Sequence, residues 1–277
     1  GAQRSYPEKR SRVSGLPLYN GEFPVSVMAE EMEAPGAGQI RGLITVAGNP
    51  VLTAPNGRRI EAALKQLDFM VSVDIHINDT TRHADLILPG TVALEEPVYD
   101  MVFHSFAVRN TASFADAIFP RPEGIIPEWE IYARLANAMT GANDLGPSPS
   151  EQLVHILARG YHAEAASLDA LKAHDGSVDL GPLVPSLPDR LETPGGRLHL
   201  APEVFLSDLP RLLAHETPTE RPYVMIGRRQ MRSHNSWTQN APRLVKGRNR
   251  CSVQINPADA ATLGIEDEAD VRVTSRT

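Results

Sequence analysis

A single cysteine, Cys251, serves the whole 277-residue chain, and that scarcity removes several classes of protein at once. An internal disulfide is excluded, as is any Cys-rich zinc or iron–sulfur site within the chain. Cys251 opens an apparent strand, which reads as a buried structural thiol. No apolar run approaches the roughly 18 residues needed to cross a bilayer, so the chain is not read as an integral membrane protein. The first residues, Gly1-Ala2-Gln3-Arg4-Ser5, include neither an apolar leader nor an initiating Met, which reads as a piece of a longer protein or a processed product. None of the nine histidines falls in a His-x-x-x-His pair; they read as ordinary polar or packing residues.

Another absence is local. From Arg221 to Ala258 there is no Asp or Glu, while the same stretch carries eight Lys and Arg residues. The whole chain is at net −7, so everything outside the stretch sums to −7 − 8 = −15. The acidic total argues against nucleic acid as the main partner. At the centre of the basic stretch, Gly227-Arg228-Arg229-Gln230-Met231-Arg232-Ser233-His234-Asn235-Ser236-Trp237 mixes fixed positive charge with amides, hydroxyls and imidazole. Such a mixture suits a polyanionic ligand rich in heteroatoms, with Arg228, Arg229 or Arg232 placed to pair with a pyrophosphate. The competing readings are a solvated basic face and, for Trp237, a core aromatic rather than a stacking platform.

With 42% hydrophobic and 22% charged residues, the composition is that of a folded protein long enough for one large domain or two ordinary ones. The opening 24 residues are polar and broken by Pro7, Pro17 and Pro24, and a short helix follows to about Met32. Leu43-Ile44-Thr45-Val46-Ala47 is a continuous apolar run, as in a strand covered on both faces. Ile60, Ala63, Leu64 and Leu67 recur at helical spacing, and Phe69–Asp74 is the next strand, with Ala84–Pro89 a third. Strand, helix, strand at this spacing predicts a βαβ unit with a parallel sheet.

Beyond Pro89 residues 90–126 read as irregular. Helices are expected from Pro127 to Met139 and from Ser150 to about Arg159, each closed by a glycine, and the Gly/Pro-rich residues 175–197 read as a linker. Short strands are expected at 196–200, 223–226, 251–255 and 270–275, giving a mostly β, barrel-like end. A single helix among them would be capped by Asn256, with Pro257 in its first turn and Gly264 at its stop.

In parallel α/β sheets ligands bind beyond the carboxyl ends of the strands. Two such ends carry chemistry here. Gly48-Asn49-Pro50 offers a tight turn and an amide that both donates and accepts. Asp74 offers a carboxylate able to take two parallel hydrogen bonds from the amidine edge of guanine. Taken singly, these residues read equally as a plain turn and a solvated strand-end acid; their placement one βαβ unit apart favours a site.

Several of these segments together resemble the C-terminal portion of the molybdopterin oxidoreductases, the family of formate dehydrogenases, dimethyl sulfoxide reductase and dissimilatory nitrate reductases. The resemblance is carried by Ala47-Gly48-Asn49-Pro50, by Val73-Asp74 with Asn78-Asp79-Thr80-Thr81-Arg82-His83-Ala84-Asp85-Leu86-Ile87-Leu88-Pro89, by Glu95-Glu96 and Glu128-Trp129, by the segment from Arg228 to Leu244, and by Ile255–Ala260 through Leu263-Gly264-Ile265. It implies a bis(molybdopterin guanine dinucleotide) cofactor with Mo or W. Asn49 and Asp74 would sit at one guanosine end, with Glu96 and Glu128 also cofactor-binding. Gly227, Arg228, Ser233, His234, Asn235 and Ser236 would line the pterin and pyrophosphate.

The fold so implied is α/β: the end of a parallel α/β domain (residues 40–100, after an irregular lead-in, 1–39), a helical connection and linker (101–190), and an incomplete double-psi β-barrel that binds the molybdopterin dinucleotide (191–277). The family's Cys-x-x-Cys-x-x-x-Cys iron–sulfur motif has no counterpart in this sequence, nor has its metal ligand, so a 4Fe-4S cluster is expected only upstream. The resemblance therefore implies the cofactor-binding part of a formate-dehydrogenase-like enzyme doing two-electron redox chemistry on a small-molecule substrate, with no catalytic residue of its own; a cytoplasmic location is a separate expectation. An electron-transfer subunit or carrier would be the partner. The alternatives are a non-catalytic cofactor-binding subunit of a split enzyme and a generic nucleotide-binding α/β protein.

Overall fold

The computed structural model describes residues 9–18, 21–100, 102–214, 223–230, 238, 241–247 and 251–274. Near its start, Arg12 reaches over the end of helix α1 (Met28–Glu33) and donates to the carbonyls of Glu31, Ala34 and Pro35. Those carbonyls have no partner within the helix, and a cation at this end also complements the helix dipole.

The parallel unit forms as its sequence dictates. Strand β1 (Gly42–Val46) leads through two helices, α2 (Pro50–Thr53) and α3 (Gly57–Leu64), into β2 (Phe69–Val73), and a polar loop leads on to β3 (Leu86–Leu88). The sheet order is β1-β2-β3, all parallel, with Leu43 opposite Met70 and Val71 opposite Leu86. Ile60, Ala63 and Leu64 share one face of α3 and close with Ala29, Met32 and Met70 into a core. Burying an Ile, Leu or Met side chain contributes about 1.5–3 kcal/mol. Gly57 lets α2 and α3 meet: a Cβ there would lie 1.9 Å from the Val51 carbonyl oxygen, which no side chain tolerates.

Only the middle strand is covered on both faces. β2 is buried from Met70 to Val73, whereas β1 alternates, with Leu43 against the core and Ile44 and Val46 at 49% and 50% exposure. The expectation that Leu43–Ala47 is buried on both sides is therefore corrected. Helices pack on one face of β1, and among the described residues nothing covers the other.

A second, antiparallel sheet follows where the sequence reads as irregular chain and linker. It comprises β4 (Val98–Tyr99), β5 (Arg109–Ala115) and β6 (Ser177–Pro182), in the order β4-β5-β6. Pro182 is tolerated because β6 is an edge strand there. Helices α4 (Glu128–Thr140), α5 (Pro149–Leu157) and α6 (Leu168–Ala173) lie between β5 and β6 in the chain. Leu153 of α5 and Leu171 of α6 pack with Ala112, Phe114 and Ala166 into a second core. The two expected helices are present: α4 ends at Gly141, and α5 is capped by Ser148.

After residue 190 the described chain holds four short α-helices, α7 (Glu203–Leu206), α8 (Leu209–Leu213), α9 (Pro242–Val245) and α10 (Pro257–Leu263). The last keeps its expected Asn256 cap and Gly264 stop. No strand occurs among the described residues here, so the strands expected at 196–200, 223–226, 251–255 and 270–275 are not formed within them; residue 275 lies outside the described residues. Their β-propensity is real, but a strand exists only when a ladder partner satisfies its backbone, and Val224, Met225 and Ile226 stand exposed. The double-psi barrel stays an expectation. Cys251 is exposed rather than buried, because its segment joins no sheet that would cover it.

Candidate functional site at the strand ends

The carboxyl ends of β1 and β2 are tied together by the loop after β2. Ala47 leaves β1 in the left-handed region, at φ 46°, with its N–H donating to the Val73 carbonyl at 2.9 Å. That geometry costs a non-glycine residue about 1–2 kcal/mol and turns the chain sharply into Asn49. Asn49 then stands at the N-cap of α2.

Four residues of the loop organise the rest. Asn78 accepts at Oδ1 from the N–H groups of Thr80 and Thr81, both at 2.9 Å, and donates from Nδ2 to Asp74 Oδ2 at 3.2 Å. The Thr81 hydroxyl accepts from the Asn78 N–H and donates to the His76 carbonyl. Thr80, wholly buried, donates its hydroxyl proton to Asn49 Oδ1 at 2.8 Å and accepts from the Val51 N–H at 3.1 Å. Asn49 Nδ2 in turn lies 3.5 Å from Asp79 Oδ2.

Asp74 is 9% exposed. Its Oδ1 accepts from the His76 N–H at 2.8 Å and its Oδ2 from Asn78, so each oxygen retains a lone pair. A held carboxylate with lone pairs to spare, linked through Asn78 and Thr80 to the Asn49 amide, suits a heterocycle edge that offers N–H donors. These residues fit the base of a guanine-bearing dinucleotide. The far end of β2 is fixed as well: Asp85 Oδ2 accepts from the Met70 N–H at 2.7 Å, and the Asp85 N–H donates to the Met70 carbonyl.

Glu96 and Glu128 meet elsewhere. Both line a recess of about 240 Å³ with Thr91, Pro127 and Trp129. Glu96 and Trp129 also border a larger hollow of about 690 Å³ that includes Tyr99 and Phe114. Glu128 opens α4 and accepts from the Tyr132 hydroxyl at 3.0 Å. Burial, then that hydrogen bond and the charge of Glu128, push the Tyr132 phenol up to about 12. Gly90 gives Glu128 its room, since a Cβ at 90 would come within 2.6 Å of Glu128 Cγ.

Among the described residues no hydrogen bond or ion pair joins the Asn49–Asp74 cluster to Glu96, Glu128, Gly227 or Arg228. Gly227 and Arg228 are exposed and belong to no helix or strand; Ser233, His234, Asn235 and Ser236 lie outside the described residues. No group of three or more His, Cys, Asp or Glu among the described residues is arranged to hold a metal ion. Asn78 and Thr80 belong to the 78–89 motif, which by itself assigns neither a role. The only signal available was their amide and hydroxyl chemistry two residues apart.

The family model described as "Molybdopterin oxidoreductase" matches residues 4–138, and that described as "Molydopterin dinucleotide binding domain" matches residues 223–277. Over these two segments the chain is similar to the molybdopterin oxidoreductases. It is 26% identical over 265 residues to the assimilatory nitrate reductase catalytic subunit of Bacillus subtilis, covering 89% of this chain and 35% of that protein. It is 26% identical over 251 residues to the F420-dependent formate dehydrogenase subunit alpha of Methanocaldococcus jannaschii, covering 86% and 35%. The NADPH-Fe(3+) oxidoreductase subunit alpha of Geobacter sulfurreducens shares 24% over 241 residues, 86% and 24%. The chain thus spans about a third of the length of the first two of these relatives. No helix among the described residues is long and apolar enough to cross a membrane.

Proposed function

We propose that this chain supplies cofactor-binding residues of a molybdopterin-dependent oxidoreductase of formate-dehydrogenase type. The observation that carries the reading is the paired strand end. Asn49 after β1 and Asp74 after β2 are one βαβ unit apart and bridged through Thr80 and Asn78. In this reading they hold the guanine of one half of a bis(molybdopterin guanine dinucleotide). Asp74 accepts from the base's N–H groups, and Asn49 donates to an acceptor beside them. Glu96 and Glu128 serve the cofactor from their own recess, while Gly227, Arg228, Ser233, His234, Asn235 and Ser236 line its pterin and pyrophosphate. The domain limits given above, with residues 191–277 forming part of a double-psi barrel, belong to the same proposal.

When bound, such a cofactor supplies two-electron redox chemistry at molybdenum or tungsten on a small substrate, with a 4Fe-4S cluster and an electron-transfer partner carrying the electrons. This chain's own residues orient the dinucleotide and keep water from its base. The test is Asp74→Ala in the native polypeptide, with metal measured by mass spectrometry and guanine released by acid. Metal and guanine should fall together while the protein stays folded. Unchanged metal and guanine would overturn the assignment.

A further inference from the structure

We infer that Thr80 is a positioning residue that sets which end of the Asn49 amide faces a ligand, and through it the choice between guanine and adenine. The inference rests on the reading of Asn49 and Asp74 as a base site and adds a residue that touches no ligand.

The argument is one of donors and acceptors. The Val51 N–H, an early N–H of α2 without a helical acceptor, can only donate, so Thr80 Oγ1 must accept from it. The hydroxyl's single proton is then directed at Asn49, and at 2.8 Å the atom it meets must be the amide oxygen. The Asn49 NH2 is left pointing away from Thr80, 3.5 Å from Asp79 Oδ2. Rotating the amide by half a turn would fail twice. The Thr80 proton, wholly buried, would face a donor, and Asn49 Oδ1 would face the Asp79 carboxylate. The amide therefore has one orientation, and the atom offered to a ligand is a donor.

A donor at that position discriminates between the purines. Guanine places a carbonyl oxygen where adenine carries an amino group, so an outward NH2 favours guanine and an outward amide oxygen would favour adenine. Asp74 adds to the preference, because guanine alone has the neighbouring pair of N–H donors. Replacing Thr80 by Val keeps the shape and removes the hydroxyl, which leaves only the longer Asp79 contact to oppose a turn of the amide.

The experiment is equilibrium dialysis of GDP and ADP against the cofactor-free native polypeptide, for wild type, Thr80→Val, Thr80→Ser, Asn49→Ala and the double variant Thr80→Val/Asn49→Ala. The wild type should prefer GDP, Thr80→Val should lose about tenfold of that preference, and Thr80→Ser should keep it even if its melting temperature falls. In the Asn49→Ala background, Thr80→Val should change the ratio no further, because its effect passes through the amide. A retained preference in Thr80→Val, an equal loss in Thr80→Ser, or a full additional loss in the double variant would overturn the inference. No preference in the wild type would instead overturn the base-site reading, and the inference with it.

Discussion

Asn78 holds Asp74: its Nδ2 donates to Asp74 Oδ2 at 3.2 Å, while its Oδ1 takes the N–H groups of Thr80 and Thr81. One amide thus fixes both the loop and the carboxylate that the loop presents. Asn78→Ala leaves two backbone donors and one carboxylate oxygen short of a partner at a part-buried place. A loss of about 2–4 kcal/mol is expected, read from denaturant unfolding, with weaker guanine-nucleotide binding in the same preparation.

Asp85 gives a contrasting case. Its carboxylate accepts from the Met70 N–H at the start of β2, away from Asn49 and Asp74. Asp85→Ala should cost about 1–3 kcal/mol, and Asp85→Asn, which keeps an acceptor, should cost less. Both should leave the GDP-to-ADP preference of the folded protein as it was. A changed preference would show that the two strand ends are not independent.

Tyr132 predicts an alkaline dependence. Its folded-state value, about 12, lies above the ordinary 10.0, first because of burial and then because of Glu128. A raised value means stabilisation that is complete below pH 10 and is lost as pH rises towards 12. Absorbance titration should show a late-ionising tyrosine that Tyr132→Phe removes. Gly90→Ala, by pushing Glu128 aside, should move that titration down towards pH 10.

The N-terminus of α5 predicts the acid counterpart. Ser148 and Glu151 form a reciprocal box: the Ser148 hydroxyl and N–H both donate to Glu151 Oε2 at 2.7 Å, and the hydroxyl oxygen accepts from the Glu151 N–H. The hydroxyl bond, followed by the backbone bond, holds the Glu151 carboxyl below its ordinary 4.5. The stabilisation is therefore present above pH 4.5 and fades as pH falls through the lowered value. Ser148→Ala should cost about 1 kcal/mol at pH 7, and its difference from wild type in thermal unfolding should shrink below pH 4.5.

What the sequence made legible was local. Leu43–Ala47 and Phe69–Asp74 are apolar enough to declare themselves, and Ile60, Ala63 and Leu64 mark a helix by spacing alone. β5 was hidden because Arg109–Ala115 is mostly polar and only Ala112 and Phe114 face the core. β6 was hidden because Val178 and Leu180 alternate inside a segment whose Gly181 and Pro182 signal a linker. Their pairing joins residues some 70 positions apart, such as Arg109 and Asp179, and no local pattern announces it. At the site, Asn49 and Asp74 were visible as strand-end polar residues. Thr80 was not, because its role depends on a proton whose direction is decided by Val51.

The reciprocal pair between Met70 and Asp85 has a consequence for how far errors can travel. β3 is three residues long, too short to choose its own alignment with β2, and the Asp85 pair adds a fixed fourth rung. A slip of one residue would turn every side chain of β3 to the opposite face, and would move the start of the 78–81 loop's exit with it. The Met70–Asp85 peg stands about 13 Å from Asp74 along the strand, at roughly 3.3 Å per residue, so it sets where β3 runs without touching the carboxylate. One aspartate keeps the register of the sheet, and another, held by its own partners, is left free to face a ligand.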